Sequence, residues 1–366
     1  MSTLLPNLSP GRLLSVFSRA TPYPVGVEAG ETWLRFAQWH PSPGHPSPPE
    51  SASATSWRFT ALDELHTGDA PLTDLGKVHR NRLQAAGLQG RQVLCAISSP
   101  AVEIFPVSFH PKGSDTLESL VILNARERLS YPLEKAVLDY AILPEEVKRA
   151  GEDAVSVLIF SAPRVLVEIA LTRLESLGLE AARIMTPGCV LAPRIKGDPE
   201  ARHLVVNAGE IASSIAVVQN GAVLLERILP WGLQSLLMHI QAELDLTETQ
   251  ARQLLDEFAA DASPRKTLHR TLESIILSPF QELAHEAASC LGYCDSYLQH
   301  RVAASCVVLG TLATQPTLRS VIENRLGLPV VSADEGCSLP EWYAPPDGGC
   351  YALAACASLW REEDAA

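Results

Sequence analysis

Apolar and polar positions alternate with a period of two over several short stretches and near 3.6 over longer ones. The chain therefore reads as strands interleaved with helices. Pro24–Glu28 and Thr32–Trp39 read as strands around Ala29-Gly30, a hairpin signal, and Trp57–Leu62 resumes that sheet. Leu72–Ala86 has helical spacing and Gln92–Ser98 reads as a buried strand. Val102–Phe109 is extended, with Pro106 marking an edge or a bulge. Ser114 offers an N-cap to a helix through Leu117, Leu120, Val121, Asn124 and Arg128, which Pro132 stops. Val137–Leu143 and Ala154–Ser161 are strands, Arg164–Leu177 is a helix ended by Gly178, and Glu180–Thr186 is a strand. This β-α-β-β-α-β order forms a small α/β module.

His203–Asn207, Ser213–Gln219 and Ala222–Ile228 then form a meander in which Asn220-Gly221 supplies a two-residue hairpin turn. Gly232–Leu244 and Thr247–Phe258 are helices, the second capped by Thr247. Leu272–Gln299 is a long helical stretch that Pro279 is expected to kink or interrupt. Ser305–Leu309 and Leu328–Ser332 are strands around a helix Thr317–Leu326 closed by Gly327, and Tyr351–Trp360 is a final apolar helix. A strand, a glycine turn and a second strand open the chain near residue 26 and again near residue 207. That repetition predicts an internally duplicated α/β body.

Composition narrows the function. The chain has 366 residues, of which 46% are hydrophobic, enough for two domains with a sizeable core. Its formal charge of −13 lacks any dense basic stretch, which argues against nucleic acid as a partner. No apolar run has the length that crosses a bilayer, and no secretory signal opens the chain, so a cytoplasmic location is expected. Eight cysteines at positions including Cys290 and Cys294 lack zinc spacing and read as reduced, packed thiols. Ten scattered histidines form no HExxH pair, and Ser98-Ser99-Pro100 and Ser213-Ser214 lack a Gly-x-Ser-x-Gly elbow. No catalytic residue and no metal ligand is assigned. Residues 40–56, HPSPGHPSPPESASATS, read as an exposed flexible loop between strands. Near the N-terminus, Leu13, Leu14, Val16 and Phe17 read as the stripe of a short helix docked onto the body.

Glu127–Leu143, ERLSYPLEKAVLDYAIL, resembles the helix end, Tyr-Pro-Leu-Glu turn and following strand of the PilM family, within the actin/FtsA-like ATPase superfamily. Val157–Ala162 leading into Leu171–Leu179 follows in the family order. So do Asn220-Gly221 with Glu226-Arg227, the helical stretch from Leu272, Val307–Gly310, Leu326-Gly327-Leu328-Pro329 and Tyr351-Ala352-Leu353-Ala354. The resemblance covers about residues 22–360. It implies an actin-like (ribonuclease H-like, duplicated) fold of two lobes with a small α/β subdomain inserted in the first. On that pattern 1–21 is an N-terminal extension, 22–99 with 181–200 the first lobe, 100–180 the inserted subdomain and 201–366 the second lobe. It also implies an inner-membrane PilN-like partner whose cytoplasmic tail docks beside the subdomain. An assembly ATPase or other machine components are further partners, with self-association left open. Leu4-Leu5-Pro6-Asn7 resembles the docking segment of such partners, which raises self-occupation of that groove.

Members of the family bind ATP between the lobes, and the resemblance assigns Glu28, Gly30, Thr32, Asn207, Gly209, Ser213 and Gly310 to that cleft. Each phosphate loop departs from the family's pattern. Glu28 is one methylene longer than the family's aspartate, and Asn207 replaces the second one. Glu31 and Glu210 add acid where phosphates would lie. Trp231-Gly232 stands for a Gly-Gly turn, and Met185-Thr186-Pro187 carries none of the acids placed near the attacking water. No cofactor is expected, with weak binding of ATP and Mg²⁺ the alternative. The expected function is a scaffold of a type IV pilus or type II secretion-like assembly, a pseudo-ATPase. A working ATP switch of the same fold and an FtsA-like division protein are the rivals, the latter disfavoured by the acidic end Arg361–Asp364.

Overall fold

The computed structural model describes residues 23–30, 33–40, 57–63, 72–113, 115–145, 154–260, 266–298, 301–339 and 350–360. The extension 1–21 with Leu4-Leu5-Pro6-Asn7, Glu31, Thr32, Ser114, all of the 40–56 stretch beyond His40, and Arg361–Asp364 lie outside the described residues. Two five-stranded sheets repeat one plan. The first contains β1 (Val25–Ala29), β2 (Trp33–Trp39), β3 (Trp57–Asp63), β4 (Gln92–Ile97) and β8 (Glu180–Met185), in the order β3-β2-β1-β4-β8. The second contains β9 (Arg202–Ala208), β10 (Ser213–Gln219), β11 (Ala222–Leu229), β12 (Ala303–Leu309) and β13 (Val330–Ser332), in the order β11-β10-β9-β12-β13. In each, the opening strand is antiparallel to the second and parallel to the fourth. The hairpins and their glycine turns thus sit at equivalent places in two duplicated lobes.

Side chains alternate across a strand, and β1 uses this to face two layers. Val25, Val27 and Ala29 enter a core shared with Leu34, Phe36, Val93 and Cys95. Ala170, Leu174 and Leu177, from and just after α3 (Arg164–Ser176), join that core. The other face meets α10 (Ala352–Leu359), a helix of small residues that is buried along its whole length. Gly26 is required there: a Cβ would fall 1.8 Å from the carbonyl oxygen of Ala354. Ser358 ties the helix down by donating to the Pro24 carbonyl at 2.9 Å and accepting from the Trp39 N–H at 3.1 Å.

A three-stranded antiparallel sheet, β5 (Glu103–Phe109), β7 (Val155–Pro163) and β6 (Ala136–Ile142), runs in the order β5-β7-β6. It buries Val107, Phe109, Val157 and Ile159 with Val121 of α2 (Leu117–Arg128). The expected six-element module does not close on itself. Its last strand, β8, pairs with β4 of the first sheet, and α3 follows it into that core. Pro106 lies on the edge strand β5, where its missing N–H removes no ladder bond from a central strand. The N-cap of α2 is Thr116 rather than Ser114; its side chain accepts from the Ser119 N–H at 3.2 Å.

Between β11 and β12 come α5 (Leu233–Leu244), α6 (Glu248–Ala259) and α7 (Lys266–Tyr297), and α8 (Pro316–Leu326) precedes β13. Thr247 and Gln250 form a capping box at the start of α6. The expected interruption at Pro279 does not occur: α7 is one helix through it. Proline inside a helix costs about 3 kcal/mol. Burial of Ile276, Phe280, Leu283, Ala284 and Ala287 on both sides of Pro279 exceeds that, since each large apolar side chain contributes roughly 1.5–3 kcal/mol. The eight cysteines are all free thiols; Cys290 and Cys294 are buried along α7. No helix among the described residues is long and apolar enough to cross a membrane.

Candidate functional site

The two glycine turns end β1 and β9, and they meet between the lobes. Glu28, next to last in β1, is buried, and the hairpin register sets it directly across from Arg35 of β2. Arg35 Nη1 stands 3.6 Å from Glu28 Oε2, while Nη2 reaches across to Glu210 Oε2 at 3.3 Å. Glu210, on the β9–β10 turn, also accepts from Gln234 Nε2 and Arg252 Nη2, each at 3.1 Å. The guanidinium of Arg35 lies 4.2 Å from the ring centre of Trp33. Burial pushes the Glu28 carboxyl above its ordinary pKa, against the downward pull of Arg35. Burial also acts to lower the Arg35 pKa, but the neighbouring acidic groups, Glu28 foremost and then Cys350, Glu210 and Tyr351, leave it raised.

The glycines are filled in by the protein's own atoms. The open side of Gly30 faces the Trp33 indole, where a Cβ would be 2.3 Å from the ring. A Cβ on Gly209 would meet the Ala212 carbonyl oxygen at 2.5 Å. Gly310, at φ +92, passes so close to Ala208 and to Asn207 Oδ1 that only glycine fits without strain. Gly232 abuts the Glu210 carbonyl. The first free N–H groups of α5 are taken as well: Leu233 donates to the Gly209 carbonyl at 3.0 Å and Gln234 to that of Glu210 at 2.8 Å.

Of the residues assigned from sequence, Glu28, Gly30, Asn207, Gly209 and Gly310 border this crevice, and Thr32 lies outside the described residues. Asn207 sits beside Glu28, yet neither of its side-chain polar atoms completes a hydrogen bond among the described residues. Ser213 is turned differently from Asn207. The register pairs Ser214 with Asn207 and Ser213 with Ala208, so Ser213 lies on the opposite face of the sheet from Asn207. Sequence reading missed Arg35 and Arg252. For Arg35 the signal was present, because the two strands read on either side of Ala29-Gly30 form a hairpin whose register sets position 28 opposite position 35.

A second contact crosses at the end of β8. Thr186, the cap of α4 (Pro187–Leu191), donates to Glu226 Oε2 of β11 at 2.5 Å, and the Gly188 N–H donates to Oε1 at 2.7 Å. Glu226 is wholly buried, and desolvation pushes its carboxyl up to about 7 despite those two donors. Among the described residues no group of three or more His, Cys, Asp or Glu side chains is arranged to hold a metal ion.

Two duplicated lobes, turned toward each other at their opening hairpins, define an actin-like fold. No family model matches the chain, and no curated protein matches it by sequence. Solved structures do. A chain of a PilM–PilN type IV pilus biogenesis complex shares the fold with TM-score 0.69 at 19% identity, over 92% of this chain and 97% of that one. The ethanolamine utilization protein EutJ from Carboxydothermus hydrogenoformans matches with TM-score 0.50 at 13% identity, over 93% and 90%. MreB 5 of Spiroplasma citri, bound to AMPPNP, matches with TM-score 0.51 at 8% identity, over 93% and 96%. The chain is similar to each of these in fold.

Proposed function

We propose that this protein is a cytoplasmic actin-like scaffold of a type IV pilus or type II secretion-like assembly that works without nucleotide. It binds the cytoplasmic N-terminal tail of an inner-membrane, PilN-like partner. The observation that carries the reading is the near full-length likeness to a chain of the PilM–PilN complex, with TM-score 0.69. The subdomain built on the three-stranded sheet exposes Ile122, Leu123 and Ile142, apolar side chains suited to a docked peptide.

Loss of nucleotide is supported by the crevice itself. Phosphates are held where backbone N–H groups point outward from glycine turns and helix starts. Here Trp33 fills the side of Gly30, and the Leu233 and Gln234 N–H groups are already bonded. Glu210 sets a carboxylate in the second turn, and like charges about 4 Å apart repel by roughly 1–4 kcal/mol. Asn207 brings no charge for Mg²⁺. These residues do not fit a magnesium triphosphate, so no hydrolytic step is assigned to them.

Calorimetric titration with ATP and Mg²⁺ tests the second part: micromolar affinity would overturn it. Fluorescence anisotropy tests the first, with a labelled peptide from the cytoplasmic tail of the bitopic membrane protein encoded beside this chain. Saturable binding that Leu123→Glu weakens is expected. No binding removes the scaffold reading.

A further inference from the structure

We infer that Arg35 and Glu210 form an internal latch that fixes the spacing of the two lobes in place of a ligand between them. The inference rests on the nucleotide-free reading of the crevice and adds what replaces the nucleotide. Arg35 belongs to β2 of the first lobe and Glu210 to the β9–β10 turn of the second, and they meet at 3.3 Å. Both side chains are only 12% exposed, so their charges are shielded from water and ions.

Each half of the latch is prepared by its own lobe. Glu28, across the ladder, and the Trp33 ring at 4.2 Å hold the guanidinium from the first lobe's side. Gln234 and Arg252, both at 3.1 Å, hold the carboxylate from the second lobe's side, and Glu248 stands 4.0 Å from Arg252. Little side-chain order is then lost when the halves meet, which is the usual penalty of a surface ion pair. Removing either partner leaves the other held only within its own lobe, Arg35 by Glu28 or Glu210 by Arg252 and Gln234, and nothing in this pair then spans the crevice. The Trp33 indole against Gly30 and the bonded N–H groups of Leu233 and Gln234 close the same space around the pair. The lobes are held at one spacing, and the faces they jointly present to partners hold one shape regardless of nucleotide supply.

Pulsed electron paramagnetic resonance tests this with spin labels at Lys77 of α1 (Leu72–Ala85) and Glu243 of α5, on opposite lobes. Attachment through noncanonical amino acids leaves the native cysteines untouched. Arg35→Met and Glu210→Ala are each expected to lengthen and broaden the distance distribution. The double variant should move it no further than either single one, because both remove the same contact. Distributions unchanged in both single variants, or shifts that add in the double, overturn the latch. If Arg35→Met fails to fold, Glu210→Ala decides alone, with Glu210→Gln expected to shift the distribution less. A wild-type distribution that shifts on adding ATP and Mg²⁺ would instead overturn the nucleotide-free reading, while the variants alone judge the latch.

Discussion

The two opening hairpins carry nearly the same residues into the crevice, Val27-Glu28-Ala29-Gly30 in the first lobe and Val206-Asn207-Ala208-Gly209 in the second. Their ladders also agree, each with an antiparallel partner on one side and a parallel one on the other. Their chemistry does not. The first turn is backed by Trp33 and Arg35 and offers a cation; the second is backed by Ala212 and Ser214 and offers the Glu210 carboxylate. Backbone hydrogen bonds fix where a turn sits, whereas the side chains one to five residues past its glycine decide what it holds. A duplicated frame with complementary charges joins to itself; one with matching phosphate-binding turns needs an anion between them.

The largest difference between the lobes lies two residues before Glu28 and Asn207, where the first lobe has Gly26 and the second Val205. Gly26 lets α10 lie against β1, with a Cβ position 2.4 Å from the Ser358 nitrogen and nearer still to Ala354. Gly26→Val is expected to cost more than about 4 kcal/mol, because backbone rather than a flexible side chain is in the way. Val205→Gly is expected to cost about 2–3 kcal/mol, from lost burial and added chain entropy. Urea unfolding midpoints measure both. Equal losses would mean that α10 is not what sets the lobes apart.

Glu226 makes the second crossing between the lobes, and here the sign of its pH dependence can be worked out. Its folded pKa is raised from 4.5 to about 7. Between those values the unfolded chain has released the proton and the folded one still binds it, so stability falls as pH rises. The fall amounts to about 3 kcal/mol and levels off above pH of about 7. Glu226→Gln removes this dependence, so its unfolding midpoint at pH 7.5 should move toward the wild-type value at pH 5. Wild type and variant that lose stability in parallel over this range would show that another group titrates.

Much of the frame could be read from residues next to one another. The Asn220-Gly221 turn, the Thr247 cap and the glycine that closes α8 are local signals, and each operates as its chemistry requires. The site depended on registers and distant pairings. Arg35 matters because the register of the hairpin sets it across from Glu28, and a shift of one residue would have put it on the other face. The same single step separates Ser214, across from Asn207, from Ser213. Glu226 finds Thr186 from forty positions away, which no local pattern encodes. The pairing of β8 with β4 rather than with β5 or β6, the outer strands of the small sheet, is likewise a choice among distant partners. Pro279 shows the reverse failure, a strong local signal overridden by burial on both of its sides.

The second strands of the two lobes differ in how they reach the third. Gln219 and Ala222 are paired and joined by two residues, whereas Trp39 and Trp57 are paired and joined by residues 40–56. Replacing 40–56 by Asn-Gly should therefore preserve the first sheet. If that stretch closes as free chain, shortening it gains up to about 2 kcal/mol from loop closure. The His40 contact to Gln38 at 3.0 Å is lost with it. A lower urea midpoint would show that residues 40–56 contribute contacts of their own to the body.

The smallest effect is expected at the second lobe's turn, where it is also the cleanest. Asn220 and Gly221 have φ values of +48 and +74, a left-handed pair that matches the twist of the flanking strands. A Cβ on Gly221 would have only Pro193 Cα near it, at 3.9 Å, so Gly221→Ala meets no steric obstacle. Whatever stability is lost is then backbone strain alone, about 1 kcal/mol for an L-residue in that region. Gly30→Ala in the first lobe offers the contrast, because there the added methyl strikes the Trp33 ring, which can move only by leaving Arg35. Urea midpoints for the two variants should fall in that order, with the Gly30→Ala loss relieved by Trp33→Leu and the Gly221→Ala loss untouched by it. Relief of both, or of neither, would mean that the indole does not occupy the first turn.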